Sequence, residues 1–296
     1  MEVLVTGASG FIGGSTCAEL LGRGHAVAAL VRRTGSEPAG TRAVAGDLTD
    51  APALAAALAG GRPDAVVHLA AEIGSQRNAA KLNEVNVEGT RRLLQACGEA
   101  GAPRFVFVST SVKGDPRGAQ IDEDSPGPVE TAYGKSKAVG EELVAGSGLE
   151  YSIIRPGHVY GPAGWYVTEL IGQLRKPGRF GVIGNGENWW DVVHVDDVAS
   201  AIADAVEKAP NGGVYHVVDD EPISQRDFIA LTAESLGMGA PRRTPVALAK
   251  LMIGGDPTAV VTRSARNSNA RIKRELAWEP RYPTAREGVP AAVAEL

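Results

Sequence analysis

Tyr133 and Lys137 are the residues of this chain whose types and spacing most directly describe chemistry. The pattern from Thr131 to Ala145 is helical, with Thr131 suited to the N-cap, so side chains four apart project from one face while Lys135 points elsewhere. A phenol that ionises near pH ~10 is a poor acid–base group at neutral pH, but a nearby positive charge favours its phenolate. That tuning suits proton exchange with a carbinol or a ketone. Ser109, Thr110 and Ser111 end a predicted strand, Arg104 to Val108, and can offer a hydroxyl to the same substrate oxygen. A Tyr-x-x-x-Lys spacing alone also fits a partly exposed pair on an amphipathic helix, so its meaning depends on what else the chain brings to it.

The N-terminus supplies the decisive context. Glu2 to Thr6 is a short apolar run that reads as a strand buried on both faces, and it stops at Gly7, Gly10 and Gly13, spaced by two residues each. Phe11 and Ile12 open an amphipathic helix. One glycine permits the turn, one lets the backbone approach a ligand, and one lets the helix pack on the strand. The free N–H groups of the helix N-terminus then point at an anion, naturally a pyrophosphate. The alternative is a glycine-rich turn without a ligand; strand, glycines and helix in this order argue against it. With a dinucleotide anchored there, its nicotinamide extends toward Thr110 and Tyr133, and the positive ring joins Lys137 in favouring the phenolate.

The second strand, Ala26 to Val31, ends in Arg32 and Arg33 with no acidic residue beside them. An acid at this place holds ribose hydroxyls and an arginine accommodates a 2′-phosphate, so the expected cofactor is NADP, with NAD as the alternative and a solvated strand end as the bland reading. Arg42 to Ala45 is a third strand, and Asp47 either caps the helix Pro52 to Leu58 or touches a ligand. Asp64 to Leu69 is another apolar strand, running into Ala70 and Ala71, which are small enough for a cofactor to approach. A helix is predicted from Asn78 to Ala100. Asn86 within it needs a specific bond, to a backbone carbonyl or a water. Lys113 to Pro128 is a loop suited to face a substrate, and Glu150 to Arg155 is the sixth strand.

This alternation predicts an α/β protein with a doubly wound parallel (Rossmann) sheet and a smaller mixed α/β C-terminal substrate lobe. The expected boundaries are 1–164 plus 191–218 for the dinucleotide-binding domain and 165–190 plus 219–296 for the lobe. The lobe contains helices at Trp165 to Leu174, Gln225 to Leu236 and Arg271 to Leu276. Asp191 to Val195 and Val214 to Val218 read as strands around a helix at Asp196 to Glu207. With 296 residues, 44% hydrophobic and 22% charged, the composition is that of a globular protein. No run reaches the length of a membrane span, the N-terminus opens in a strand without a basic leader, and a net charge of −5 gives no support for nucleic-acid binding. The expected location is cytoplasmic. Cys17 and Cys97 read as reduced, buried thiols, and no metal-ligand spacing occurs.

Joined, these segments resemble the extended short-chain dehydrogenase/reductase family, in its NAD(P)-dependent epimerase/dehydratase group, along nearly the whole length. The resemblance rests on Thr6-Gly7-Ala8-Ser9-Gly10-Phe11-Ile12-Gly13, Gly46-Asp47-Leu48, His68-Leu69-Ala70-Ala71, Asn86-Val87-Glu88-Gly89-Thr90 and Tyr133 to Lys137. Arg155-Pro156 with Tyr160-Gly161-Pro162, and Val195-Asp196-Asp197-Val198-Ala199, complete it. It implies Tyr133 as acid/base, Lys137 as its electrostatic partner that also holds the nicotinamide ribose, and Thr110 as the substrate-orienting hydroxyl. It implies that Asp47 and Leu48 contact the adenine, that Ala70 lies along the cofactor, and that two copies pair through the helices carrying Asn86 and Tyr133. Loop, strand ends and resemblance together give an expected cofactor set of Gly7, Gly10, Phe11, Ile12, Gly13, Arg32, Arg33, Asp47, Leu48, Ala70, Ala71, Asn86, Ser109, Tyr133, Lys137 and Pro156. Ser111, His158 and Trp190 are expected at the substrate.

Two departures narrow the function. Nucleotide-sugar epimerases of this family usually carry a diphosphate-binding arginine just before the aspartate of the Asp191 strand, where this chain has Trp190 after Trp189. After Arg155-Pro156 they commonly offer an asparagine, where this chain has His158. Trp189 and Trp190 are either an aromatic substrate wall or lobe core. Arg263, Arg266 and Arg271 are either a replacement phosphate site or a solvated face. The expected reaction is reversible hydride transfer between NADP(H) and a secondary alcohol or ketone of a small metabolite. The alternatives are a nucleotide-sugar epimerase or dehydratase with retained NAD and, in another class, a non-catalytic NAD(P)-sensing regulator.

Overall fold

The apolar runs assemble as seven parallel strands: β1 (Glu2–Thr6), β2 (Ala26–Val31), β3 (Arg42–Ala45), β4 (Ala65–His68), β5 (Arg104–Val108), β6 (Tyr151–Pro156) and β7 (Gly213–Val217). This is a computed structural model, and it describes residues 1–73, 78–101, 103–176 and 180–296. The order across the sheet is β7-β6-β5-β4-β1-β2-β3, so β1 is central, with Thr6 opposite Leu30 on one side and His68 on the other. Val3 and Val5 are fully buried and Leu4 nearly so, which is why the middle of this strand is apolar at successive positions and not at alternate ones. The order reverses between β1 and β4, and a crevice opens there at the carboxyl ends of the strands.

Helices cover both faces. On one, α1 (Phe11–Gly22) and the long helix Val195–Lys208 bury Cys17, Leu20, Val198 and Ile202 against β1 and β2. On the other, α2 (Ala51–Gly61), α3 (Gly89–Glu99) and α4 (Ala132–Ala145) bury Leu54, Leu58, Leu93 and Val144. The helix expected from Asn78 is divided: Asn78 caps Ala79–Leu82, the turn Asn83–Glu88 is π-helical, and α3 follows. The cap of α2 is a correction. Asp50, not Asp47, accepts the Ala53 N–H, while Asp47 Oδ1 accepts from the N–H and hydroxyl of Thr49.

A third cluster gathers Tyr160, Tyr166, Trp190, Val192, Phe228 and Val289 from distant segments. Short strand pairs that sequence patterning did not predict tie these segments together, among them Arg266–Asn267 with Gln120–Ile121 and Trp189–Trp190 with Ile223–Ser224. Helices at Val246–Ile253, Gly255–Thr262 and Ala285–Ala294 were likewise unmarked by the sequence pattern. The segment expected from Trp165 to Leu174 is helical but opens with a π-helical stretch, Tyr166–Ile171. Part of the lobe expected at 165–190 lies outside the described residues.

Candidate active site

The glycines after β1 are required by contact. Gly7 has φ +70°, and a Cβ there would lie 2.6 Å from the Ala70 backbone nitrogen; a Cβ on Gly13 would lie 2.1 Å from the Gly7 carbonyl oxygen. No side chain caps α1, whose N-cap is Gly10, so its first N–H groups are left for an anion. This cradle of bare backbone fits a dinucleotide pyrophosphate. Phe11 is caged by Gly164, where a Cβ would sit 2.6 Å from its ring, and Ile12 packs with it against the core. Arg32 and Arg33 stand exposed just past β2. Ala70 and Ala71 lie half-buried at the end of β4, and Ala70 N–H donates to Thr6 Oγ1. The Leu48 side chain is buried in the core beside Gly89.

Beneath this crevice runs a neutral ladder. His68 Nε2 is 2.9 Å from Thr90 Oγ1, which donates to the Asn86 carbonyl, and Thr6 Oγ1 is 2.7 Å from His68 Nδ1. With the Thr90 proton committed to Asn86, the imidazole proton belongs on Nε2. Burial, aided by the Lys137 charge, drives His68 down to about 3, so it stays neutral. The Asn86 amide is engaged within the protein. It accepts from Glu72 N–H and donates to Glu72 C=O and Ser136 Oγ, joining the loop after β4 to α4. Its bonding to a backbone carbonyl matches the sequence reasoning; the tie to α4 was not foreseen.

α4 delivers Tyr133 and Lys137. Thr131 Oγ1 accepts the Gly134 N–H, as its N-cap position predicts. Two glycines then bring the helix close to β5 and the loop after it: a Cβ on Gly134 would lie 2.6 Å from the Lys113 carbonyl oxygen in that loop, and one on Gly140 would lie 2.7 Å from the Phe107 ring in β5. Lys137 is 3% exposed, its Nζ 4.6 Å from the centroid of that ring. Burial lowers the Lys137 ammonium to about 8, opposed by Glu141 one turn along and assisted by Lys113. Burial pushes the Tyr133 phenol up to about 12. Tyr133 itself is half-buried, one helical turn from Lys137.

At the end of β5, Thr110 Oγ1 accepts the Val112 N–H and keeps its own proton for donation, while the buried hydroxyls of Ser109 and Ser111 have no partner. Pro156 is buried at the end of β6. His158 is buried with its ring stacked 5.0 Å from Trp190, and burial, with Arg263 nearby, takes it down to about 3. Trp190 itself is 2% exposed and donates its indole N–H to the Val261 carbonyl, so of the two tryptophan readings the structure favours lobe core; Trp189 is the exposed one.

Three features had little or no sequence signal. Glu141 lies between Lys113 Nζ at 2.7 Å and a two-pronged Arg155, at 3.0 and 2.7 Å; its i,i+4 spacing from Lys137 was the available clue. Gly134 and Gly140 set the approach of α4. Arg263, 2% exposed, is neither a solvated face nor a free phosphate ligand, because it donates to the carbonyls of Ser111 and Gly114 and faces Asp191 at 3.6 Å. Asp191 also accepts the backbone and side-chain N–H of Asn267, and Ser264 N–H donates to Asp115. The segment 263–267 thus fastens the loop that follows Thr110.

A parallel sheet with a glycine loop at its switch point and a Tyr/Lys helix beside a hydroxyl-bearing strand end defines an enzyme of the extended short-chain dehydrogenase/reductase type. More narrowly, the chain belongs to the NAD dependent epimerase/dehydratase family, whose model matches residues 3–218. It is 34% identical to a 3-diazoavenalumate denitrifying reductase from a Streptomyces species, across 98% of this chain and 99% of the relative. It is 31% identical to a UDP-glucose 4-epimerase from Mycolicibacterium smegmatis, across 99% and 97%. The crystal structure of the Thermus thermophilus UDP-glucose 4-epimerase in complex with NAD superposes with a TM-score of 0.84 at 29% identity, covering 100% of this chain and 98% of that one.

Proposed function

We propose that this protein is an NADPH-dependent reductase of small or medium-sized ketones. The observation that carries this reading is made among the described residues: Trp190 is packed in the core just before Asp191, and the nearby Arg263 is committed to two carbonyls and Asp191. A nucleotide sugar loses its bidentate phosphate donor in such a site. The similarity to a reductase over nearly the full length supports the reductive part of this reading.

When bound, the nicotinamide supplies hydride to the carbonyl carbon. Tyr133 gives its proton to the carbonyl oxygen; Thr110 donates a hydrogen bond to that oxygen and orients it. Lys137, buried on the same helix face, places positive charge beside the phenol as its proton leaves. Arg32 and Arg33, exposed past β2, favour a 2′-phosphate and hence NADP over NAD. The face of α4 that exposes Val139 is read as a contact between two copies, tested by sedimentation velocity.

The second reading, a nucleotide-sugar epimerase or dehydratase, is favoured by the epimerase relative and the fold match. The deciding experiment follows NADPH oxidation with a panel of ketones beside turnover of UDP- and dTDP-sugars. Net NADPH consumption that is lost in Tyr133→Phe supports the reductase. Cofactor that co-purifies and sugar turnover without net oxidation would replace it with the epimerase reading.

A further inference from the structure

Tyr133 and Lys137 come from α4, whereas Thr110 follows the end of β5, so their joint chemistry depends on contacts that hold the two elements together. Glu141 makes such a contact. Its carboxylate, buried one turn beyond Lys137, accepts from Lys113 Nζ at 2.7 Å, three residues past Thr110, and from Arg155 of β6 at 3.0 and 2.7 Å. The backbone of Lys113 is held as well: its carbonyl accepts the N–H groups of Glu130 and of Thr131, the cap of α4. One side chain therefore sits where the helix of the phenol, the loop of the hydroxyl and the neighbouring strand meet.

The same carboxylate balances charge. Lys113, Arg155 and Lys137 bring three positive charges to this corner, and Glu141 is the acid bonded among them. Glu141 favours the Lys137 ammonium and Lys113 opposes it. The other titratable groups around α4 are engaged elsewhere or neutral. His68, facing Lys137 from β4, is neutral, and Tyr133 lies one turn the other way. Glu72, Glu84 and Glu88 pair with Lys81, Arg92 and Arg91, while Lys135 and Glu142 are exposed. Farther along, Glu123 and Asp124 face Arg271, and Asp191 faces Arg263. In a buried site, a carboxylate a helical turn away favours an ammonium and a second ammonium disfavours it, each by about one pH unit or more.

We propose that Glu141 is a positioning residue for the reaction: through Lys113 it fixes the loop of Thr110 against the helix of Tyr133, and together with Lys113 it sets the charge balance around Lys137. This rests on the reductase reading for the reaction, while the charge balance itself does not. Because the two neighbours act with opposite sign, removing one or the other pushes Lys137 in opposite directions, which a purely structural clamp does not do.

The test is an NMR titration of the full chain carrying ¹³C at the lysine ε carbons, with the Lys137 signal identified by its loss in Lys137→Arg. Lys137 is expected to titrate near pH 8 in the parent, about one unit lower in Glu141→Gln and about one unit higher in Lys113→Met. The alkaline limb of kcat for NADPH oxidation by ketones is expected to move the same way in each variant. Far-UV circular dichroism checks both folds, and if Glu141→Gln unfolds, Lys113→Met alone decides. A Lys137 titration unchanged in either folded variant, or shifted in the same direction by both, overturns the proposal, and so does a kcat limb that stays in place while the titration moves. If the titrations shift oppositely as expected but no ketone oxidises NADPH, the charge balance around Lys137 stands and the reductase reading falls.

Discussion

Two adjacent glycines of α1 should respond in opposite directions to the same substitution. Gly13 and Gly14 both lie within Phe11–Gly22, so replacing either by alanine brings the same gain in helix propensity, about 0.5–1 kcal/mol. Their surroundings differ. A Cβ on Gly14 meets nothing within 4 Å, whereas one on Gly13 lies 2.1 Å from the Gly7 oxygen and 2.8 Å from Ala8 Cα. A carbon and an oxygen rest at about 3.3 Å, so Gly13→Ala must drive helix and loop apart by roughly 1 Å. Overpacking of this kind costs about 1–3 kcal/mol or more, and near 300 residues each kcal/mol moves the melting temperature by about 2 °C. Gly14→Ala is expected to melt about 1–2 °C higher than the parent and to bind NADPH unchanged. Gly13→Ala is expected to melt several degrees lower and to bind NADPH at least tenfold more weakly, because the shifted backbone is the phosphate cradle. Thermal scans and fluorescence titration of NADPH measure both. If the two variants melt and bind alike, helix–strand contact through Gly13 does not shape the cofactor site.

Tyr133→Phe should reduce kcat by about 10²- to 10⁴-fold while NADPH titration stays within a few-fold of the parent. The Lys137 ammonium sits near 8, so its positive charge is present below that pH and lost as pH rises through it; kcat for ketone reduction should therefore fall above about pH 8, and an unchanged rate to pH 10 would remove Lys137 from the reaction. Replacing Arg32 and Arg33 together by alanine should lower the NADPH-to-NADH affinity ratio by roughly tenfold to a hundredfold, and a constant ratio would overturn the 2′-phosphate assignment. Glu141→Gln leaves Lys113 and Arg155 without their shared carboxylate, which should cost about 3–5 kcal/mol in urea unfolding; a loss under 1 kcal/mol would mean solvent already screens the cluster.

The parts of this protein written in local pattern were readable from the chain alone. β1, Gly7, Gly10 and Gly13 declare themselves because the turn, the close approach and the helix start fall within a dozen residues. Tyr133 and Lys137 are a helical repeat apart, and Thr131 is a local cap. The failures are nonlocal. Leu48 packs against Gly89 forty-one positions later, a contact that no local pattern announces. Arg263 looked like a surface cation because its neighbours in sequence are polar, and only the fold sets it beneath the carbonyls of Ser111 and Gly114. The short strand pairs and late helices of the lobe, two to eight residues long in several cases, lack the length for a period to emerge.

The fastening of the loop after Thr110 by residues 263–267 also orders events during synthesis. The strands and glycine loop that hold a dinucleotide are complete once β6 has emerged, but Asp115, Gly118 and Asp191 receive their partners Ser264, Arg266 and Asn267 far later, across separations of 149, 148 and 76 residues. Chains lengthen during synthesis by about 5–20 residues each second, so seconds separate the emergence of β6 from that of the segment that fastens the loop after Thr110.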